Sequence, residues 1–292
     1  LAATGGVPGP GRIGRVAIGD LLKRAAVRFP DRIALTDGDR RVTFTELEHD
    51  ANRFANYLVK RGLKPGEKIS TICNNSVEFV KALFGIHRAG LVWVPINTML
   101  GPADMDYILD HAEVRFALID DNLHAQADRR AALEKCGMQM IAIDLAGKVA
   151  ATGLENFNDL IKGQSEVEPD IEIDDRDLAM IIYTSGTTGN PKGALHAHRV
   201  VLGHLPNVEM CHNFLPRPGD LMWTPADWAW IGGLINCLFA FWYHGIPMVG
   251  HRARKFEPQA AMAMMAELSI RNVFLPQTAL KLMRQADVRN PG

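Results

Sequence analysis

The residues best able to perform chemistry stand together in residues 183–193, which read YTSGTTGNPKG. Glycines in this segment let backbone N–H groups approach an anion closely, and hydroxyl side chains add further donors. Lys192 supplies a positive charge. Together these groups favour a loop that binds the phosphates of a nucleotide. The residues that we expect to contact phosphate are Thr184, Ser185, Gly186, Thr187, Thr188, Gly189 and Lys192.

This segment differs from two other catalytic motifs. The P-loop of NTPases has a second glycine where Pro191 stands and a hydroxyl residue where Gly193 stands, and it opens a helix rather than the strand expected here. The G-x-S-x-G elbow of hydrolases is also absent, because Tyr183 and Thr187 take the glycine positions around Ser185. The alternative is a loop that only joins two strands and binds no ligand. The combination of three glycines, four hydroxyls and a lysine argues against it.

A second candidate site lies in residues 225–234, PADWAWIGGL. Trp230 and Ile231 can form the apolar wall of a substrate pocket, and Gly232 and Gly233 leave space that larger side chains would fill. The alternative is that the aromatic residues belong to the core of a buried helix, which is the commoner role of such stretches. Residue types by themselves favour this alternative, and Trp228 stays undecided.

Short apolar strands alternate with helical patterns in the first half of the chain, which predicts a parallel sheet covered by helices on both faces. The predicted strands are residues 68–73, 91–96, 114–120 and 138–143, and the predicted helices are residues 75–90, 104–111 and 125–136. We expect a strand and an amphipathic helix in 41–62, an acidic surface connection in 145–177, strands at 178–185 and 193–198, a helix at 198–210, and a helix, strand and helix in 251–285.

Composition limits the possible partners. The net charge is −1, with 32 basic and 33 acidic residues, so the chain has no field suited to nucleic acid or an anionic membrane. Residues 228–243 are apolar but shorter than the roughly 20 residues of a membrane helix, which favours a buried helix. Four well-separated cysteines and the lack of a secretory pattern in residues 1–12 predict a cytoplasmic protein.

No metal site is predicted. His196 and His198 have a suitable spacing on a strand, but the sequence places no third ligand beside them. Cys211 and His212 are adjacent on a predicted helix and therefore point apart. We therefore expect structural histidines rather than a metal site or a nucleophile.

The segment YTSGTTGNPKG resembles the signature of the adenylate-forming (AMP-binding) superfamily, in the branch of acyl-CoA synthetases related to luciferases and peptide-synthetase adenylation domains. Similarity extends over residues 42–69, 81–97 and 223–233, and residues 255–283 are similar to the helix-strand-helix that walls the family's substrate tunnel. The resemblance implies an α/β fold of mostly parallel sheets covered by helices in a layered N-terminal domain, without the small C-terminal domain. Within it we expect a first subdomain at about 13–172 and the start of a second at about 173–292.

The resemblance also implies a reaction in two steps. A carboxylate attacks the α-phosphate of ATP to give acyl-AMP and pyrophosphate, and CoA then takes the acyl group, with no protein nucleophile. Lys192, Thr184 and Mg²⁺ would serve the first step. Residues 223–233 resemble the segment that forms the family's acyl site, and we call them the acyl segment. Trp230 and Asp227 match the family's aromatic and acidic residues there, which favours Trp230, Gly232 and Gly233 as pocket residues. The two glycines suggest an acid longer than acetate, such as a short- to medium-chain fatty acid.

Three features of the family are not found in residues 1–292: an aromatic-Gly-x-Thr-Glu segment, a Thr-Gly-Asp segment and the C-terminal catalytic lysine. We therefore expect the chain by itself to turn over poorly. Three hypotheses stay open: the N-terminal portion of an acyl-CoA synthetase, a truncated non-catalytic binding module, or an adenylating enzyme with an acceptor other than CoA. The sequence gives no indication of oligomeric state.

Overall fold

The computed structural model describes residues 16–184, 189–251 and 255–286. Its strands, in chain order, are β1 (Ile33–Asp37), β2 (Arg40–Thr43), β3 (Lys68–Ile72), β4 (Val92–Pro95), β5 (Phe116–Asp120), β6 (Gln139–Ile143), β7 (Glu155–Asn156), β8 (Leu178–Thr184), β9 (Lys192–Ala197), β10 (Met222–Trp223), β11 (Met248–Val249) and β12 (Asn272–Val273).

The helices are α1 (Ile18–Arg28), α2 (Phe44–Lys60), α3 (Val77–Arg88), α4 (Pro102–His111), α5 (Asp121–His124), α6 (Ala127–Lys135), α7 (Val149–Thr152), α8 (Phe157–Ile161), α9 (Val200–Cys211), α10 (Ile231–Gly233), α11 (Ala240–Tyr243), α12 (Pro258–Glu267) and α13 (Gln277–Gln285), with a π-helix (Leu234–Phe239) between α10 and α11. Most of the predicted elements are confirmed, with bounds that differ by a few residues.

Two sheets organise these elements. A seven-stranded sheet has the order β7-β6-β5-β3-β4-β8-β9, and all of its neighbours are parallel except β8 and β9. A five-stranded sheet has the order β12-β10-β11-β1-β2, parallel except for β1 and β2. The predicted α/β class with mostly parallel sheets is confirmed.

Each sheet draws strands from both halves of the chain, because β1 pairs with β11 and β4 pairs with β8. The predicted division near residue 172 therefore does not coincide with the division between the sheets. As a boundary between subdomains it stays a prediction.

Helices α2 and α3 show how the sequence builds the layer over the sheets. Thr43 begins α2 with a capping box, in which its hydroxyl accepts from the Glu46 N–H and the Glu46 carboxylate accepts from the Thr43 N–H. A Cβ at Gly85 on α3 would lie 2.7 Å from the Phe54 ring on α2. Glycine therefore allows the two helices to pack closely, and their apolar faces are fully buried.

The acidic stretch of residues 145–177 is not merely a surface connection, so this prediction is wrong for part of it. β7 extends the edge of the large sheet beside β6, and α8 buries Phe157 and Ile161. These two side chains are four residues apart and lie on one helix face. The surrounding acidic residues obscure that short apolar pattern in the sequence.

Residues 228–243 form the expected buried segment, but the helix begins at Ile231 rather than at Trp228. Its middle turn is a π-helix, a form that is rare and is often found near functional sites. No helix within the described ranges is long and apolar enough to cross a bilayer.

Candidate active site

The predicted phosphate loop joins two antiparallel strands at the carboxyl edge of the large sheet. In the ladder, Tyr183 is opposite Gly193, and Thr184 is opposite Lys192. The Thr184 and Lys192 side chains are exposed. Because β8 is parallel to β4, the loop emerges at the edge where open α/β sheets bind ligands. Ser185, Gly186, Thr187 and Thr188, which we expect to bind phosphate, lie outside the described residues.

Two glycines fit the geometry of this hairpin. Gly189 has a φ of +110°, a region that disfavours residues with a Cβ, and no described atom lies within 4 Å of where its Cβ would be. Gly193 instead lies under side chains of the opposite strand. A Cβ there would be 2.8 Å from Ile181 Cγ2 and 3.1 Å from Tyr183 Cζ. Gly193 therefore lets the Tyr183 ring lie across the hairpin.

Tyr183 connects the hairpin to the first half of the chain. Its hydroxyl oxygen is 2.7 Å from Nδ1 of His111, at the last residue of α4. The Tyr107 ring stacks on this imidazole, with centroids 5.3 Å apart. Partial burial raises the pKa of Tyr183, so its phenol stays protonated at neutral pH.

The acyl segment is fixed by a side-chain clamp. The Asn75 amide, in the connection between β3 and α3, donates to the Ala226 carbonyl at 2.9 Å and accepts from the Trp228 N–H at 2.9 Å. The buried Asp227 carboxylate accepts from the Ala229 N–H at 2.9 Å. Asp227 therefore shapes the turn that precedes Trp230.

The two tryptophans of this segment have different environments. Trp228 is fully buried and packs on Phe79, with ring centroids 5.8 Å apart. Trp228, which the sequence left undecided between pocket and core, is thus part of the core. Trp230 precedes α10 and is 41% exposed, so it remains accessible to a ligand.

The two glycines do not open space in the way that the sequence suggests. A Cβ at Gly233 would lie 2.6 Å from the Asp227 carbonyl oxygen, and one at Gly232 would lie 3.1 Å from the Phe274 ring. The space beside each glycine is therefore filled by backbone or by an aromatic ring. The expectation that they leave a vacant pocket is wrong for this structure, and their role in binding the acid stays a prediction.

An apolar cavity of about 470 Å³ lies beside β10 and α12. Trp230, Ile231, Gly232 and Gly233 do not line it. Its lining residues are Met99, Trp223, Pro225, His251, Phe256, Glu257, Ala260, Ala261, Met264 and Thr278. Residues 255–283, which resemble the wall of the family's substrate tunnel, supply six of these lining residues, whereas nothing in the sequence indicated that Met99 and His251 would join them.

A second cavity of about 480 Å³, called here the polar cavity because most of its lining residues are polar types, opens near the carboxyl ends of β3, β4, β5 and β6. Strand order reverses beside β3, which makes this the topological switch point of the sheet. The Asn74 amide donates to the Asp120 carboxylate at 2.9 Å, and burial raises the pKa of Asp120. Sequence reasoning missed this cavity, although polar residues at or shortly after the ends of the apolar strands, Asn74, Thr98 and Asp120, could have indicated it.

Arg129 brings a positive charge to the same cavity. Its guanidinium is 3.3 Å from Met105 Sδ, and within the described ranges no carboxylate forms an ion pair with it. Asp121 lies below and accepts from the N–H groups of Leu145, Ala146 and Lys148, which fixes the loop after β6. The cavity thus combines a fixed frame with an available cation.

His196 and His198, which we expect to be structural, differ in their burial and in their neighbours. His198 is buried, and its ring centroid is 5.6 Å from that of His87. His196 is half-buried, and burial lowers its pKa. In the part of the chain that the structure describes, no group of three or more histidine, cysteine or acidic side chains could hold a metal ion.

Comparison with known proteins agrees with this architecture. A family model described as AMP-binding enzyme matches residues 22–291. The chain is 31% identical over 194 residues to a medium/long-chain-fatty-acid–CoA/3-oxocholest-4-en-26-oate–CoA ligase of Mycolicibacterium smegmatis, covering 64% of this chain and 35% of the relative. It is 30% identical over 185 residues to a linear gramicidin synthase of Brevibacillus parabrevis, covering 63% of this chain and 3% of the relative.

Among solved structures, the anthranilate CoA ligase AuaEII in complex with anthranoyl-AMP superposes with a TM-score of 0.78 at 25% identity, covering 87% of this chain and 48% of that one. The chain spans about a third of the length of the fatty-acid ligase and about half of the anthranilate ligase. The family match over nearly the whole chain, on a fold shared with a CoA ligase, shows that this protein belongs to the AMP-binding, adenylate-forming enzymes, the family that contains acyl-CoA ligases.

Proposed function

We propose that the complete gene product activates a carboxylic acid with ATP as an acyl-adenylate and then transfers the acyl group to CoA. The observation that carries the proposal is the hairpin, in which Thr184 and Lys192 are paired at the carboxyl edge of the sheet on either side of the phosphate-loop sequence. Family membership supports the same reaction.

The exposed Thr184 hydroxyl and Lys192 ammonium suit the first step. A carboxylate that approaches ATP is repelled by the triphosphate, and this repulsion is strong where water is excluded. Lys192 would neutralise charge on the β- and γ-phosphates, while Thr184 would orient them by hydrogen bonding. Mg²⁺ would enter with the nucleotide as its counter-ion and supply further charge neutralisation.

The apolar cavity supports a short- to medium-chain fatty acid as the substrate. Its volume of about 470 Å³ falls within the usual range for small-molecule sites, and Trp223, Phe256 and Met264 give it apolar walls. Met99 lines this cavity and the polar one, so the two lie side by side. We place the alkyl chain of the acid in the apolar cavity and leave Trp230 as a candidate contact at its carboxyl end.

The polar cavity supports CoA as the acceptor, because CoA is a polyanion with a hydrogen-bonding nucleotide. Arg129 offers a cation, and Asn74 and Thr98 offer polar groups at the switch point. An acceptor other than CoA is the second candidate, since one relative is named as a gramicidin synthase. A cytoplasmic location is part of the proposal.

The test is ATP–pyrophosphate exchange by the complete gene product, with acetate, hexanoate, octanoate and benzoate as acids, followed by thioester formation with free CoA. We expect exchange to be faster with hexanoate or octanoate than with acetate, and an acyl-CoA product. No exchange with any acid would contradict the adenylation. Exchange without thioester formation would favour the other acceptor.

A further inference from the structure

We propose that His111 is a positioning residue of the phosphate loop, acting through the hydroxyl of Tyr183. The inference rests on the proposed function, in which the loop binds ATP. His111 Nδ1 is 2.7 Å from Tyr183 Oη, and the two rings meet edge to face with centroids 5.8 Å apart. The residues are 72 positions apart in the chain, so this contact joins two elements with no local connection.

The contact lies at the base of the loop. Tyr183 directly precedes Thr184, the last residue of β8, and is paired with Gly193 across the hairpin. Because neighbouring side chains of a strand point to opposite faces, Tyr183 anchors one face while Thr184 is directed to the other. Fixing the Tyr183 ring therefore limits the movement of the Thr184 and Lys192 pair.

The anchor is held on a rigid support. His111 ends α4, whose inner face is buried against the large sheet through Met105, Ile108 and Leu109. Tyr107, one turn earlier on α4, stacks on the imidazole and restricts its rotation. The hydroxyl of Tyr183 therefore contacts a residue outside the hairpin, on a helix that packs against the sheet.

Core packing accounts for the Tyr183 ring, which lies partly buried against the core, but not for the contact of its hydroxyl with His111. His111 is exposed, so its side chain adds little buried area, and glycine at position 193 lets the Tyr183 ring lie flat across the hairpin. A purely structural ring at position 183 would need no hydroxyl. The hydroxyl and imidazole together supply orientation at the site where the phosphates would bind.

Four variants of the complete gene product test the proposal: Tyr183→Phe, His111→Ala, the double variant and His111→Gln, with Tyr107→Phe as the control that keeps the stacked ring. Loss of one hydrogen bond should raise KM for ATP about threefold to tenfold in either single variant. KM for the acid should not change. The double variant should resemble the single variants, because both remove the same contact. His111→Gln should recover part of the loss, since its amide can still bond the phenol.

A second readout does not depend on catalysis. Hydrogen–deuterium exchange of the peptide that spans residues 183–193 should become faster in Tyr183→Phe and His111→Ala, while peptides of β3 and β5 and the Tyr107→Phe control should match the wild type. Unchanged exchange in this peptide, or changes in KM for ATP that add in the double variant, would overturn the proposal. If the wild type shows no pyrophosphate exchange, the proposed function fails, and the deuterium measurement still decides whether His111 anchors the hairpin.

Discussion

Thr184 and Lys192 lie directly opposite each other as the last pair of the ladder between β8 and β9. In an antiparallel pair, opposite side chains lie on the same face of the sheet, with Cβ atoms about 5 Å apart. A hydroxyl donor and a cation are therefore presented together at the base of the loop. This pairing is the part of the candidate site that the fold fixes most clearly.

The first prediction concerns the two glycines of the acyl segment. Gly233→Ala should lower the free energy of unfolding by about 1–3 kcal/mol, because the added methyl meets the Asp227 carbonyl oxygen, which is part of the backbone. Gly232→Ala should cost less, since its neighbour is the Phe274 ring, which can shift. Urea denaturation of both variants gives the comparison. Equal stability of Gly233→Ala and wild type would show that the glycine leaves open space instead.

The second prediction separates the two tryptophans. Trp228→Ala should cost about 3–5 kcal/mol of stability, because the side chain is fully buried against Phe79. Trp230→Ala should cost less, about 1–2 kcal/mol, because the side chain is only partly buried, and it should raise KM for the acid. Chemical denaturation and acid-dependent pyrophosphate exchange measure the two effects. A large loss of stability in Trp230→Ala would contradict this assignment.

The third prediction concerns pH. His87 is fully buried, and desolvation, together with His198, lowers its pKa from 6.5 to about 3. The unfolded chain therefore binds this proton first as the pH falls. Stability that depends on the neutral ring is complete above pH 6.5 and is lost progressively from there towards pH 3.

His87→Phe should remove part of this pH dependence while keeping a ring beside Trp93. The variant loses the hydrogen bond between His87 Nδ1 and the Leu83 carbonyl, so only the change in stability with pH is compared, not its absolute value. Urea titrations at about pH 7 and about pH 5 are sufficient. The same decrease in both proteins would show that other groups cause the acid sensitivity.

The fourth prediction concerns the polar cavity. Arg129→Ala should raise KM for CoA about tenfold, the effect of losing one charged hydrogen bond, and should leave KM for ATP unchanged. Arg130→Ala, on the same helix, is the matched control because Arg130 approaches Glu134 instead, with Nε and Oε1 3.9 Å apart. Thioester formation with varied CoA measures both. Equal effects of the two substitutions on KM for CoA would contradict the proposal that CoA binds in the polar cavity.

Sequence reasoning succeeded where the signal is local. The helical spacing of Leu47, Ala51, Phe54 and Leu58 predicts the buried face of α2, and all four side chains are fully buried. Continuous apolar strands likewise predict the parallel sheet. Strand order could not be predicted, because β1 pairs with β11 across more than 200 residues and no local pattern records that contact.

The site shows the same limit. The composition of residues 183–193 predicts phosphate binding, but the contact between His111 and Tyr183 depends on how α4 and β8 meet in the fold. Gly233 shows the reverse problem. A glycine looks the same in sequence whether it opens a pocket or admits a carbonyl oxygen, and only the position of Asp227 distinguishes the two.

The most direct test of the central claim is ATP–pyrophosphate exchange by the complete gene product carrying Lys192→Ala, with Lys60→Ala at the end of α2 as a control. Removing a group that stabilises transition-state charge typically lowers kcat by about 10²–10³, and we expect a loss of this size for Lys192→Ala. The control should match the wild type. Exchange by Lys192→Ala at the wild-type rate would contradict the assignment of the hairpin as the phosphate site.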